Sequence, residues 1–196
     1  MGRPKAFLPY GTAATHTFLD RLIASMREGG IDDILVIGRP DDEELIAAVG
    51  RYGVLARFVP NPHHDLGQLT SIVAAVDAVD HPGVRGLLVM PVDMPLVRAA
   101  TFAAIVRAAA SHPRAIVRAV CEGRHGHPVI FDRSCFDALR HADPQTGAKA
   151  VLRDPRAQVV DIEVADPGVL KDIDSVDDYI AEFGGPPAAP GSAVSS

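Results

Sequence analysis

The sequence predicts an α/β fold, a mainly parallel sheet with helices on both faces, and three observations carry that prediction. Apolar runs of strand length alternate with segments of helical periodicity. Two of those runs, Ile34-Leu35-Val36-Ile37 and Leu87-Leu88-Val89-Met90, are continuous, the pattern of strands covered on both faces. A late Gly/His-rich stretch between two further runs adds an antiparallel excursion to the otherwise parallel order.

Each element has its own signal. Phe18, Leu19, Leu22, Ile23 and Met26 repeat at helical spacing and Gly29-Gly30 stops them, which predicts a helix over about Thr17 to Glu28. Ile34 to Gly38 is a buried strand, Asp41 or Asp42 caps a short helix through Val49, and Val54 to Val59 is the next strand. After the turn-rich Asn61 to Gly67, the spacing of Leu69, Ile72, Val73, Val76 and Val79 predicts a helix leading into a strand over Gly86 to Met90. An Ala-rich helix runs from about Arg98 to Ser111. The second half gives a hairpin: a strand at Ala115 to Val120, a turn at Gly123 to His127 and a strand at Pro128 to Phe131. Thr146-Gly147-Ala148-Lys149 opens a short helix, Val159 to Val164 is a strand, and Ser175-Val176-Asp177-Asp178 starts a last helix with a capping-box arrangement.

Composition bounds the rest. With 47% apolar content, 196 residues suffice for one core, read as a single domain over 1–183 followed by a disordered Gly/Pro/Ala/Ser tail over 184–196. A net charge of -6 and only three lysines argue against a nucleic-acid or anionic-membrane binder, so any phosphate site is local. Cys121 and Cys135 have no metal-type spacing and suggest no disulfide, as in a reducing cytosol. No apolar leader or membrane-length run appears, and the expectation is a soluble, cytoplasmic protein.

The candidate chemistry centres on Asp93, in Met90-Pro91-Val92-Asp93-Met94-Pro95. A carboxylate just past the end of a buried strand sits where open α/β sheets bind ligands, and the flanking prolines stiffen its turn. Its alternative reading is a cap for the helix near Arg98. Asp174 is the second acid; beside Asp93 it would let the pair hold one Mg²⁺, whereas next to Ser175 it is equally a helix-cap residue. Lys5 follows Gly2-Arg3-Pro4 and could reach phosphate oxygens, or simply be solvated. Gly67 and Ser71 lie at a loop-to-helix junction that presents backbone donors, with ordinary turn chemistry as the alternative. His63, His64, His125 and His127 with Cys121 lack metal-ligand spacing, and no nucleophile motif is present.

Taken together, these segments resemble the molybdenum cofactor nucleotidyltransferase family, in particular its cytidylyltransferase-like branch. The matching pieces are Met1-Gly2-Arg3-Pro4-Lys5 with Leu8-Pro9, Asn61-Pro62 through Gly67 to Ser71, and Val92-Asp93-Met94-Pro95. Gly126-His127-Pro128-Val129-Ile130-Phe131, Thr146-Gly147-Ala148-Lys149 and Asp172-Ile173-Asp174-Ser175 follow in family order. The resemblance implies a Rossmann-like three-layer α/β/α sandwich with a mostly parallel mixed sheet, of the nucleotide-diphospho-sugar transferase type. It implies transfer of a nucleotide, CMP from CTP in preference to GTP, to a phosphorylated small-molecule acceptor such as the molybdopterin cofactor, with release of pyrophosphate. By the same resemblance Lys5 contacts the triphosphate, Gly67 and Ser71 lie by the base, Asp93 and Asp174 hold Mg²⁺, and His127 stands on the acceptor side. A molybdoenzyme or chaperone is the implied protein partner. Sugar-phosphate or phospholactate acceptors, and a non-catalytic member that binds a cofactor precursor or a protein, are the alternatives.

Family members begin with an apolar strand and a Gly-rich loop, and this chain starts at the Met of the motif that ends that loop. In the family that strand is central. The expectation is therefore that the strands at Ile34 to Gly38 and Gly86 to Met90 carry unpaired backbone groups, and that loop amides of the triphosphate cradle are missing.

Overall fold

The computed structural model describes residues 4–12 and 15–187. The tail expected over 184–196 therefore lies outside the described residues from 188 onward. Six strands and seven helices alternate along the described chain.

Helix α1 (Phe18–Glu28) opens at Thr17, whose side chain and that of Asp20 cap each other's backbone. Strand β1 (Ile34–Gly38) leads to α2 (Glu43–Gly50), capped by Asp42, the second of the two acids the sequence offered. A short 3-10 turn over Gly53–Leu55 takes the place of the expected start of the next strand, so β2 runs Ala56–Pro60. Val54 is 98% exposed, so it has nothing to pack against in a strand. Helix α3 (Gln68–Val79), β3 (Gly86–Val89) and α4 (Ala99–Ser111) follow as the periodicity predicts.

The hairpin is where sequence and structure part. Strand β4 (Ile116–Cys121) turns through Glu122-Gly123 alone, both at positive φ (52° and 72°), and β5 runs Arg124–Asp132. That is the left-handed pair a two-residue hairpin requires. The Gly/His stretch read as a turn is thus the first part of a nine-residue strand. Gly126 belongs there because a Cβ at this position would come 2.0 Å from the carbonyl oxygen of Val169, so the strand can pass that segment only with glycine. Helices α5 (Phe136–His141) and α6 (Lys149–Leu152), strand β6 (Val159–Glu163) and α7 (Val176–Phe183) complete the chain. The sequence reading had no helix at α5.

The sheet is mixed, with strand order β3-β5-β4-β6, and β5 alone runs against its neighbours. β1 and β2 form a separate parallel pair. Side chains alternate across β4: Val117, Ala119 and Cys121 pack with Phe102 and Ile105 of α4, whereas Ile116 packs with Ile72 and Val76 of α3 and with Leu139 of α5. These are the two outer layers of a three-layer sandwich. β4 thus lies between helices on both faces.

Between β1 and β3 the sheet is interrupted. Among the described residues β1 pairs only with β2 and β3 only with β5, and their facing edges line one cleft of about 1260 Å³. Leu22, Ile23 and Met26 of α1 wall it on one face, and Ile72 and Ala75 of α3 on the other. The edges expected from the resemblance to be unpaired have no partner strand among the described residues. They also correct one reading: β3 is half-buried along its whole length, and β1 is buried only at Ile34, instead of both being covered on two faces.

Candidate active site

Asp93 and Asp174 are 81 positions apart in the chain, yet they meet at one ammonium group. Lys5 Nζ donates to Asp93 Oδ2 at 2.9 Å and also to Asp174 Oδ1. Three pieces of local folding place them. Asp93 sits on the proline-bracketed turn beyond β3, and the Ile173 N–H donates to its carbonyl at 2.8 Å, tying the 172–174 segment to that turn. Ile173 itself is buried with Leu8, Phe18 and Tyr179. The Tyr179 hydroxyl donates to the carbonyls of Pro9 (2.8 Å) and Gly11 (3.1 Å), so the last helix fastens the segment that carries Lys5.

The helix-cap alternatives for the two acids do not hold. The residue capping α7 is Ser175, whose hydroxyl accepts from the Asp178 N–H while Asp178 accepts from the backbone N–H of Ser175 and of Asp174. The Asp174 carboxylate takes no part in that cap and accepts from Lys5 instead. Nor does Asp93 cap α4. The acid that does is Asp166, buried at 3% exposure, which accepts from the Arg98 N–H (2.9 Å) and the Thr101 hydroxyl (2.6 Å).

The electrostatics follow from these contacts. Partial burial alone would lower the Lys5 pKa, but the hydrogen bonds and charges of Asp174 and Asp93 outweigh it and raise it above the ordinary lysine value. His127, half-buried, is shifted down by burial against the opposing pull of Asp93, so its imidazole is neutral at pH 7. His127, Asp93 and Asp172 line one pocket. Among the described residues no group of three or more His, Cys, Asp or Glu side chains is arranged to hold a metal. Two carboxylates are what the site offers, the number Mg²⁺ takes when phosphates complete its shell.

Gly67 and Ser71 lie apart from the acids. Gly67 (φ +102°) stands at the amino end of α3 without a side-chain cap, and the Ser71 hydroxyl accepts from Asn61 Nδ2 at 3.0 Å. Asn61 is buried, and its side chain also holds Thr70 and the His63 N–H, so it organises this whole loop. Ser71 faces the large cleft, and Gln68 lines both the cleft and the pocket of Asp93. Gln68, Arg124 and Asp172 were not singled out from sequence. Arg124 lies within the Gly123 to His127 stretch, which was the available signal.

A family model for the MobA-like NTP transferase domain matches residues 1–160. The chain belongs to that family. This NTP transferase is 27% identical over 165 residues to a phosphoenolpyruvate guanylyltransferase of Mycolicibacterium vanbaalenii, covering 83% of the chain and 72% of that relative. It is 31% identical over 118 residues to a probable molybdenum cofactor guanylyltransferase of Opitutus terrae, covering 60% of the chain and 54% of that protein. Rv0371c of Mycobacterium tuberculosis H37Rv, solved in complex with manganese, has the same fold. Its TM-score is 0.71 at 24% identity, over 92% of this chain and 91% of that one. The chain is therefore a nucleotidyltransferase of mixed α/β fold. Among the described residues no helix is long and apolar enough to cross a membrane.

Proposed function

We propose that this protein is a divalent-metal-dependent nucleotidyltransferase that joins a nucleoside monophosphate to a phosphorylated small-molecule acceptor and releases pyrophosphate. The observation that carries the reading is the convergence of Asp93 and Asp174 on Lys5. In this reading Asp93 and Asp174 hold Mg²⁺, whose charge offsets that of the phosphates. Lys5 turns its ammonium to the triphosphate, a role suited to a compact cation with three donors. Gly67 and Ser71 serve the base, and neutral His127 serves the acceptor as a hydrogen-bonding group. An acceptor phosphate oxygen attacks the α-phosphorus, the bond from that phosphorus to the β-phosphate oxygen breaks, and pyrophosphate leaves with the electron pair. The acceptor oxygen is already ionised, so no protein base is needed, and positioning and charge neutralisation supply the catalysis.

The base is proposed to be guanine in place of the cytosine that the resemblance favoured, because the matched relatives in Mycolicibacterium and Opitutus are guanylyltransferases. Their acceptors, phosphoenolpyruvate and the molybdenum cofactor, are both phosphate-bearing. The test is Asp93→Ala with GTP, CTP and a divalent ion. Nucleotide incorporation should vanish, and an active variant excludes the mechanism. A non-catalytic reading draws on the open edges of β1 and β3. Calorimetry separates the two, because a binding module without catalysis has no metal-dependent affinity for GTP.

A further inference from the structure

The first half of β5 is held by only part of a ladder. β3 runs alongside β5 from Val129 to Asp132, so among the described residues Arg124 to Pro128 have a strand on one side alone. On that side the register slips. Arg118 of β4 stands opposite Val129 and Val120 opposite His125, which leaves Ala119 alone to face Gly126, His127 and Pro128. A bulge of this kind turns side chains out of the regular alternation, and this one carries His127 to the pocket that Asp93 lines. We propose that Asp161 of β6, which lies outside the walls of that pocket, is a positioning residue for the transfer: through His125 it pins the near end of the bulge and so sets where His127 stands. The inference rests on the nucleotidyl-transfer reading, in which His127 serves the acceptor, and adds to it a residue that acts at a distance.

Asp161 joins three strands. Its two oxygens accept from Arg118 on β4, from Nε at 2.9 Å and from Nη2 at 3.1 Å, the fork geometry that holds a carboxylate in one plane. Its Oδ2 also lies 3.2 Å from His125 Nε2 on β5. An ionised carboxylate only accepts, so the proton of that contact sits on Nε2. Arg118 and Asp161 are register partners across β4 and β6, and the Arg118 side chain is only 19% exposed, so the carboxylate is aimed by a neighbour with little room to move. Glu163, two positions on and hence on the same face of β6, adds a second hold: its Oε1 accepts from the Glu122 N–H at 2.7 Å, at the hairpin turn. Two acids of a third strand thus grip the tip of the hairpin.

The effect of this grip is local. Asp161 and His125 are both exposed, and pairs so exposed add little to global stability. Beyond the bulge, Val129 to Phe131 are buried and have strands on both sides, so packing fixes that end of β5. At the bulge itself, Gly126 already lies against the Val169 carbonyl, which blocks movement towards that wall. What remains to be fixed is the stretch from Arg124 to His127, and among the described residues His125 is its one side chain paired with an acid. A displacement of His127 by about 1 Å is enough to take a hydrogen-bonding group out of reach of its partner and to cost a large factor in rate.

The test uses the full chain with His125→Ala, Asp161→Ala, Asp161→Asn, His127→Ala, and Asp161→Ala combined with His127→Ala. Amide exchange at Gly126 and His127, which needs no acceptor, should rise about 10-fold in His125→Ala and in Asp161→Ala. Asp161→Asn should show less of this rise, because its amide oxygen still accepts from the ring. Tm should fall by less than about 4 °C in each. With GTP, Mn²⁺ and phosphoenolpyruvate as the acceptor probe, kcat/KM for the acceptor should drop about 10-fold in His125→Ala and Asp161→Ala, while GTP affinity by calorimetry stays the same. In the His127→Ala background Asp161→Ala should cost nothing further, a non-additivity that a merely structural role does not produce. Unchanged exchange at Gly126 and His127 in both variants, or losses of transfer that add, overturns the inference while transfer stands. Absence of metal-dependent GTP binding, or a natural chain that releases no pyrophosphate from these substrates, overturns the transfer reading and the inference with it.

Discussion

Replacing Lys5 with Met tests whether its ammonium is the cation that holds the acid pair together before metal and nucleotide arrive. Two carboxylate oxygens that accept from one Nζ are at most roughly 6 Å apart, and at that distance two unit charges repel by about 1 kcal/mol in water and about 3 kcal/mol at an effective dielectric of 20. The side chains of Lys5, Asp93 and Asp174 are 33%, 24% and 62% exposed, so screening favours the lower figure. Lys5→Met should therefore destabilise the metal-free protein by about 1 kcal/mol, or lower Tm by about 2–4 °C for a chain of this size. Three measurements should then diverge. Thermal stability without metal falls. Mn²⁺ affinity, read by the electron paramagnetic resonance signal of the free ion, rises several-fold because no ammonium competes for the carboxylates. Nucleotide incorporation drops by about 10²- to 10³-fold, the loss expected when one fixed charge is removed from developing phosphoryl charge. A variant with unchanged Tm and weaker Mn²⁺ binding would refute the claim that Lys5 and the metal share one site.

Other residues give independent checks. His127 has a folded pKa below the ordinary value, so the unfolded chain binds more protons as pH falls below about 6.5 and stability decreases there. Urea midpoints between about pH 5 and 7 should show that decrease in the natural chain and less of it in His127→Gln. Gly126→Ala drives a Cβ into the Val169 carbonyl, so the midpoint should fall by the equivalent of at least about 1–3 kcal/mol. Asp166→Ala leaves the backbone N–H groups of Arg98 and Gly168 and the Thr101 hydroxyl without their acceptor; chemical denaturation should register a loss of about 3 kcal/mol.

What the sequence made legible was whatever depends on local order. The period of Phe18 to Met26, the caps at Thr17 and Ser175, and the apolar runs of β1, β3, β4 and β6 all reappear because neighbours in the chain decide them. The Gly/His stretch failed for a reason outside that range: Gly126 is needed by Val169, more than forty positions away, and no local pattern encodes that approach. The burial of β1 and β3 failed similarly, since a continuous apolar run says nothing of whether a strand lies alongside. At the site the acids were readable from their turns. Arg124 was not, because an arginine without a partner looks in sequence like any other arginine of a scattered set.

The ties that hold the acid pair lie beside the cleft and do not bridge it. Besides the Lys5 ammonium, what joins Asp93 to Asp174 runs through the turn after β3 and the last helix: the Ile173 amide on Asp93, the Tyr179 hydroxyl on Pro9, and the packing of Leu8, Phe18 and Ile173. None of it crosses the gap between β1 and β3. A strand seated in that gap would satisfy two rows of backbone groups and bury the half-exposed faces of both strands. It would raise the stability of the sheet without having to move the carboxylates. The β1–β2 pair is held by α1, α2, α3 and the Phe7 cluster, and β1 has no strand beside it on the side of the gap among the described residues. Amide exchange should accordingly be faster along β1 than along β4, and the turn bearing Asp93 should exchange with the slower set. Uniform protection across both strands would show that the gap costs the fold nothing.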